Sequence, residues 1–354
     1  MGVCGIAAVF TLLIVIVAVR DQRSSKADRR EQQAKRAAAK QAYLRRDVEA
    51  WNAPDEFWRQ VVAETPDGRR QTIGLAELAR RLGVESDYLR RFAPAYTEVT
   101  LSKRRGGTRT LHVPDTPTKK LQLKVLHRLL AALEPHPAAV GFRRGKSIAD
   151  HAALHSGCDL ILKCDIVDFF GSTLGTRVNA FFRRLGWDDE AAAILTKICC
   201  RENALPQGAP TSPALSNLVN RGIDRKLAHY AESIGMAYSR YADDLCFSYM
   251  TERKSSARRA RGLLQYVRRT LKAYGYTVHG KQKTHFVRKH RRQLICGLVV
   301  NDSPNLPRET RRRLRAIRHR QSLGHPATLT PEQLAGWSAY EAMVERRSSS
   351  SDSV

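Results

Sequence analysis

Residues 237–250, AYSRYADDLCFSYM, set two β-prone runs on either side of Ala-Asp-Asp, a pattern that predicts a tight hairpin with two carboxylates, Asp243 and Asp244, at its tip. A second run, LILKCDIVDFF (160–170), is apolar up to an acidic residue and places Asp165 at the end of a central strand. Between them in the chain, LPQGAPTSPALSNLV (205–219) reads as a loop punctuated by Gly and Pro that opens a helix through Ser212 or Pro213.

An Asp-Asp dipeptide alone is most often a solvated turn. Beside a strand-end aspartate and the PQG loop it reads differently, because crowded carboxylates repel one another and resist ionisation unless a cation joins them. Two Mg²⁺ ions about 4 Å apart suit Asp165, Asp243 and Asp244, and such a pair activates an attacking hydroxyl and stabilises a leaving pyrophosphate in an in-line displacement.

Tyr241-Ala242-Asp243-Asp244 resembles the YxDD box of reverse transcriptases, Asp165 to Phe170 resembles their first catalytic-aspartate block, and Leu205 to Pro213 resembles their PQGxxxSP block. Order and spacing match across roughly residues 96–301. The resemblance implies an α+β right-hand polymerase fold, with fingers, a palm whose antiparallel sheet is backed by helices, and a helical thumb. It implies that Asp165, Asp243 and Asp244, with the carbonyl of Ile166, hold the metals. Phe170 would be a steric gate under the sugar of the incoming nucleotide, Gln207 and Gly208 would border that nucleotide, and Lys103 and Arg109 would grip its triphosphate.

Within that family the chain most resembles the bacterial retron enzymes. GFRRGKSIADHAALHSG (141–157) stands where they carry NAxxH, with His151 replacing the Asn and His155 matching the histidine. RRQLICGLVVN (291–301) stands where they carry VTGLxVN, and Lys281 to Thr284 keeps the KT box, with Gly280 where Asn is usual. This implies a cognate structured noncoding RNA as partner, priming from a 2′-OH, a branched RNA–DNA product, dNTP substrates, and a separate effector protein in antiphage defence. His155 is a candidate RNA contact or a packing residue. The segment 307–320, PRETRRRLRAIRHR, predicts a basic helix with Leu314 and Ile317 available for packing and Arg311, Arg312, Arg315 and Arg318 for RNA phosphates.

The net charge of +27 agrees with a polyanionic partner, and 42% hydrophobic residues exclude a wholly disordered basic chain. The seven cysteines include no CxxC pair and read as reduced thiols rather than a zinc site. Residues 3–19 carry no charge and are followed by ten Lys/Arg in 20–46, which predicts a membrane anchor with the body on the cytoplasmic side. The expected organisation is a hydrophobic helix over 1–20, a basic helix or linker over 21–50, and an N-terminal helical region over 51–95. Fingers and palm follow over 96–301, then a basic helical thumb over 302–346 and a disordered tail over 347–354. Within the helical region, 75–92 superficially resembles a helix-turn-helix but reads better as two packing helices broken at Gly83. TEVTLSKRRGGTRTLHVP (97–114) predicts a basic hairpin, with helices near 118–134 and 147–156 after it. Two other readings stay open: a group II intron-like or other bacterial reverse transcriptase, and a membrane-tethered RNA-binding protein without catalysis.

Overall fold

Strand β3 (Leu160–Asp165) alternates side chains between two apolar layers, and this alternation organises the fold. In a computed structural model, described over residues 72–102, 106–250, 256–280, 282–326 and 328–350, β3 is an internal strand of a four-stranded antiparallel sheet. It pairs on one side with β5 (Asp244–Tyr249), which pairs in turn with β4 (Ala237–Tyr241), and on the other side with β6 (His285–Arg288). Leu160, Leu162 and Cys164 of β3, with Leu245 and Phe247 of β5, face one core. Ile161 and Cys246 face another.

The first core is closed by α8 (Arg221–Ser233) and α9 (Ser256–Ala273). Ala260, Leu263, Val267 and Leu271 recur along α9 at helical spacing and are all buried, so one stripe of an otherwise cationic helix lies on the sheet. The second core takes Ala149 and Ala152 from α4 (Ile148–Ala153), Ile295 and Leu298 from the short strands β7 (Leu294–Ile295) and β8 (Leu298–Val299), and Leu314 and Val344 from α10 (Arg308–Ser322) and α11 (Pro331–Ser350). Ser147 and Asp150 form a reciprocal capping box that starts α4 where the sequence places a helix.

A third core is mostly helical. It joins α1 (Leu75–Leu82), α2 (Ser86–Arg91), α3 (Thr116–Val125), α5 (Gly175–Arg184), α6 (Asp189–Cys199) and α7 (Ser212–Val219). Gly83 ends α1 in the left-handed region at φ 60°, and Leu78, Leu82 and Leu89 are buried, so the apolar faces of α1 and α2 are committed to packing as expected. Asp115 caps α3 by accepting from the Thr118 N–H at 2.9 Å, and the helix passes into a π-helical turn over Leu126–Leu130, ending short of the expected 134.

The hairpin lies where the sequence predicts it, with β1 (Tyr96–Ser102) and β2 (Thr108–Pro114) in register from Tyr96 opposite Pro114 to Ser102 opposite Thr108. At the other end, α11 runs to Ser350, four residues into the stretch expected to be a disordered tail. The described residues belong to one compact unit, Asp47–Ser353. The expected anchor over 3–19, the basic stretch 21–50 and Lys103 lie outside the described residues. Among the described residues no helix is long and apolar enough to cross a membrane.

Candidate active site

The β4–β5 register sets Tyr241 opposite Asp244 and leaves Ala242 and Asp243 as the turn between them. Ala242 is left-handed, at φ 57°, a conformation that costs a non-glycine residue about 1 kcal/mol or more unless its surroundings impose it. They do. The Ala242 carbonyl accepts from Arg240 Nη1 at 3.1 Å, and the Asp243 carbonyl accepts from the Ile166 N–H at 3.0 Å, which ties the turn to the end of β3. Asp165 and Asp244 are direct cross-strand partners, so their side chains leave the sheet on one face. Three carboxylates from two distant parts of the chain therefore meet at one edge.

Burial first, then the neighbouring Asp244 and Asp165, push the Asp243 carboxyl above its ordinary range. Asp244 is raised by burial, opposed by Lys163, two residues before Asp165 on the same face of β3. Asp165 meets two side chains that the sequence does not assign to it: Lys283 Nζ lies 3.1 Å from Oδ1 and His279 Nε2 lies 3.2 Å from the same atom. The His279 N–H also donates to the Asp165 carbonyl at 2.8 Å. Among the described residues no group of three or more His, Cys, Asp or Glu stands in metal-holding geometry. The donor chemistry nonetheless fits hard divalent cations, because carboxylates raised by burial and mutual repulsion are stabilised by such charge.

The turn rests on a buried ion pair. Arg240, 2% exposed, donates from Nε and Nη2 to the two oxygens of Asp224, 0% exposed, at 2.8 and 2.7 Å, and Tyr238 Oη donates to the same carboxylate at 2.8 Å. The guanidinium also lies 5.5 Å from the Phe169 ring centre. Beside it the segment 138–141 runs parallel to β4, with the Arg240 N–H donating to Ala138 and the Val140 N–H donating to Arg240. Asn217 Nδ2 holds the Gly141 carbonyl at 2.7 Å. A Cβ on Gly141 would stand 2.9 Å from the Ala242 nitrogen, so only glycine admits this close approach to the turn. Arg240 and Asp224 carry a legible signal: each charge falls at a core position, Arg240 in phase with Tyr238 on β4 and Asp224 within the apolar stripe of Ile223 and Leu227 on α8.

Behind the hairpin runs a buried polar chain. His151 Nδ1 meets Ser239 Oγ at 2.9 Å, Ser239 Oγ meets His155 Nε2 at 2.6 Å, and His155 Nδ1 meets Ser248 Oγ at 2.8 Å. His155 is 0% exposed and both ring nitrogens are engaged with β4 and β5, the arrangement that the packing alternative for this residue requires and the RNA-contact alternative does not.

The remaining candidate residues are placed as follows by the fold. Phe170 is half-buried, its ring 5.4 Å from that of Phe169 and 6.1 Å from that of Phe142. Phe142, absent from the sequence reading, is 44% exposed and also lies 6.3 Å from the Tyr241 ring, completing an aromatic group over the turn. The Gln207 carbonyl accepts from the His112 N–H at 2.7 Å, which seats the root of the β1–β2 hairpin on the PQG loop. Gly208, at φ 128°, would set a Cβ 2.7 Å from the His112 carbonyl oxygen. Arg109 is exposed on β2. On α10, Leu314 and Ile317 are buried as expected and Arg311, Arg312 and Arg315 are exposed. Arg318 pairs with Glu341 and donates to Ser338 Oγ at 3.1 Å, which ties α10 to α11.

Gly141→Ala is expected to lower primer extension at least about tenfold, a displacement worth roughly 1.4 kcal/mol in the transition state, while the thermal unfolding midpoint moves little. Steady-state extension and a melting curve on one preparation check this. Burial holds His136 down at about 4 and His151 at about 3, so both are neutral in the folded protein, whereas unfolded histidine titrates near 6.5. Their contribution is complete above about pH 6.5 and is lost as pH falls toward the folded values, at up to about 1.4 kcal/mol per pH unit for each. Urea midpoints falling between about pH 7.5 and 5, with a shallower fall for His151→Phe, are the expected result.

The family model for reverse transcriptase (RNA-dependent DNA polymerase) matches residues 101–300. The retron Mx162 reverse transcriptase of Myxococcus xanthus is 34% identical over 322 residues, covering 78% of this chain and 66% of that protein. The retron Ec86 reverse transcriptase of Escherichia coli is 34% identical over 241 residues, covering 68% and 73%, and the Myxococcus xanthus retron Mx65 enzyme is 34% identical over 294 residues, covering 76% and 67%. The chain thus spans 66% to 73% of the length of these relatives. Among solved structures, a Candida albicans telomerase in complex with a telomeric RNA fragment is similar at 13% identity and a TM-score of 0.43, over 64% of this chain and 47% of that one. With the aspartates converging as described and these relatives alongside, the chain belongs to the reverse transcriptases, the RNA-dependent DNA polymerases, and within them to the retron type.

Proposed function

We propose that the protein copies a cognate structured noncoding RNA into single-stranded DNA, primed from a 2′-hydroxyl so that the product is branched RNA–DNA, and that it acts with a separate effector in antiphage defence. The observation that carries its chemistry is the cross-strand pairing of Asp165 with Asp244, with Asp243 locked to Ile166. Asp165, Asp243, Asp244 and the Ile166 carbonyl are the groups that would hold two Mg²⁺. When bound, the ions supply charge stabilisation for the in-line displacement of pyrophosphate by a sugar hydroxyl.

The chain's own groups do the positioning. Lys283 and His279, 3.1 and 3.2 Å from Asp165 Oδ1, hold the Asp165 carboxylate in place at the end of β3. Phe170, braced by Phe169 and Phe142, fills the space a 2′-OH would need. Gln207 and Gly208 border the nucleotide from a loop pinned to the hairpin, and Arg109 of β2, together with Lys103, grips the triphosphate. Arg311, Arg312 and Arg315, on the exposed face of α10, track the phosphates of the RNA-containing duplex.

Extension of a primed RNA template with dNTPs and Mg²⁺ tests the central reading. Asp243→Ala/Asp244→Ala is expected to fall by about a thousandfold or more, the scale of several kcal/mol of lost charge stabilisation; equal extension by variant and wild type would sink it. Sequencing the nucleic acid that copurifies with wild type tests the cognate RNA and the branch. Phe170→Val is expected to raise ribonucleotide incorporation relative to deoxyribonucleotide at least about tenfold, read by competition between the two at fixed template.

A further inference from the structure

Away from the catalytic turn, α5, the first turns of α8 and the chain following α9 enclose a cavity of about 470 Å³. Arg177 and Arg184 reach it from α5, Arg221 and Arg225 from α8, and Tyr274 walls its far side. No Asp or Glu is among its lining residues.

The cavity is also built in advance. The Arg177 guanidinium donates to Asn220 Oδ1 at 2.8 Å and to the Tyr274 carbonyl at 3.3 Å, and it lies 5.2 and 5.1 Å from the ring centres of Tyr274 and Tyr276. Lys226 Nζ stands 5.1 Å from the centre of the same Tyr274 ring and adds a further cation at the margin. Burial, then the adjacent Arg225, press Arg221 down to about 10. Arginine suits phosphate in particular, since its planar fork presents paired donors to two oxygens.

We propose that this cavity is a phosphate-binding site, separate from the catalytic carboxylates, that takes either a phosphodiester of a nucleic-acid strand or a free polyphosphate. It makes no use of the aspartates, so it stands or falls apart from the polymerase reading. Full-length wild type and Arg184→Glu/Arg225→Glu are compared with two probes, a labelled single-stranded RNA by anisotropy across a salt series and inorganic tripolyphosphate by calorimetry. The charge-reversed variant is expected to lose at least about tenfold in affinity for one probe, with a salt slope for RNA shallower by about two. Arg184→Lys/Arg225→Lys is expected to keep most of the affinity. Loss for RNA alone identifies the strand as the ligand, and loss for tripolyphosphate alone identifies the free anion. Unchanged affinity for both probes overturns the proposal. Should the double variant fail to fold, Arg184→Ala at the exposed edge is read in the same two assays, with the same outcome overturning it. Primer extension on each preparation separates a fault in the polymerase from a fault at this cavity.

Discussion

The pair formed by Arg240 and Asp224 is the constraint on which the geometry of the carboxylate-bearing turn depends. Both charges are out of water, and each is stabilised only because the other, Tyr238 and the Ala242 carbonyl satisfy its hydrogen bonds. Breaking such a pair by removing one partner costs about 3–5 kcal/mol, while replacing both with apolar groups is often tolerated. Here an apolar replacement would also remove the donor that holds Ala242 in its left-handed conformation. The ion pair thus links α8, which backs the sheet, to the turn that presents Asp243.

Around it the palm is assembled by layers with separate tasks. The face of β3 and β5 carrying Leu162 and Phe247 supplies apolar burial against α8 and α9. The opposite face is apolar at Ile161 and Cys246, polar at Ser239 and Ser248, and acidic at Asp165 and Asp244. Along a few residues of strand the surface passes from core to buried hydrogen-bond chain to reactive edge. The His151–Ser239–His155–Ser248 chain fills the middle zone, where open polar groups would cost the most.

Features encoded by local periodicity were legible in the sequence. The β4–β5 hairpin, the strand ending at Asp165, the helix opening at Ser212 and the fingers hairpin all follow from period-two alternation and turn residues within a short window. Contacts between distant segments were not. Nothing near Lys283 shows that it reaches Asp165, because β6 and the loop before it are brought there only by pairing with β3. His155 reads as either buried or exposed in the sequence, and its burial was decided by serines on β4 and β5. Arg318 is one of seven arginines in its segment, and only the packing of α11 distinguishes it by supplying Glu341.

Gly208 bears on motion as well as on fit. Its missing side chain lets the PQG loop lie against the backbone at His112, and the Gln207–His112 hydrogen bond closes that seam. The root of the hairpin and the PQG loop are thereby joined through main-chain atoms. Separating the hairpin root from the PQG loop would break that hydrogen bond and undo a main-chain approach that only glycine permits, so the two segments are held as one piece.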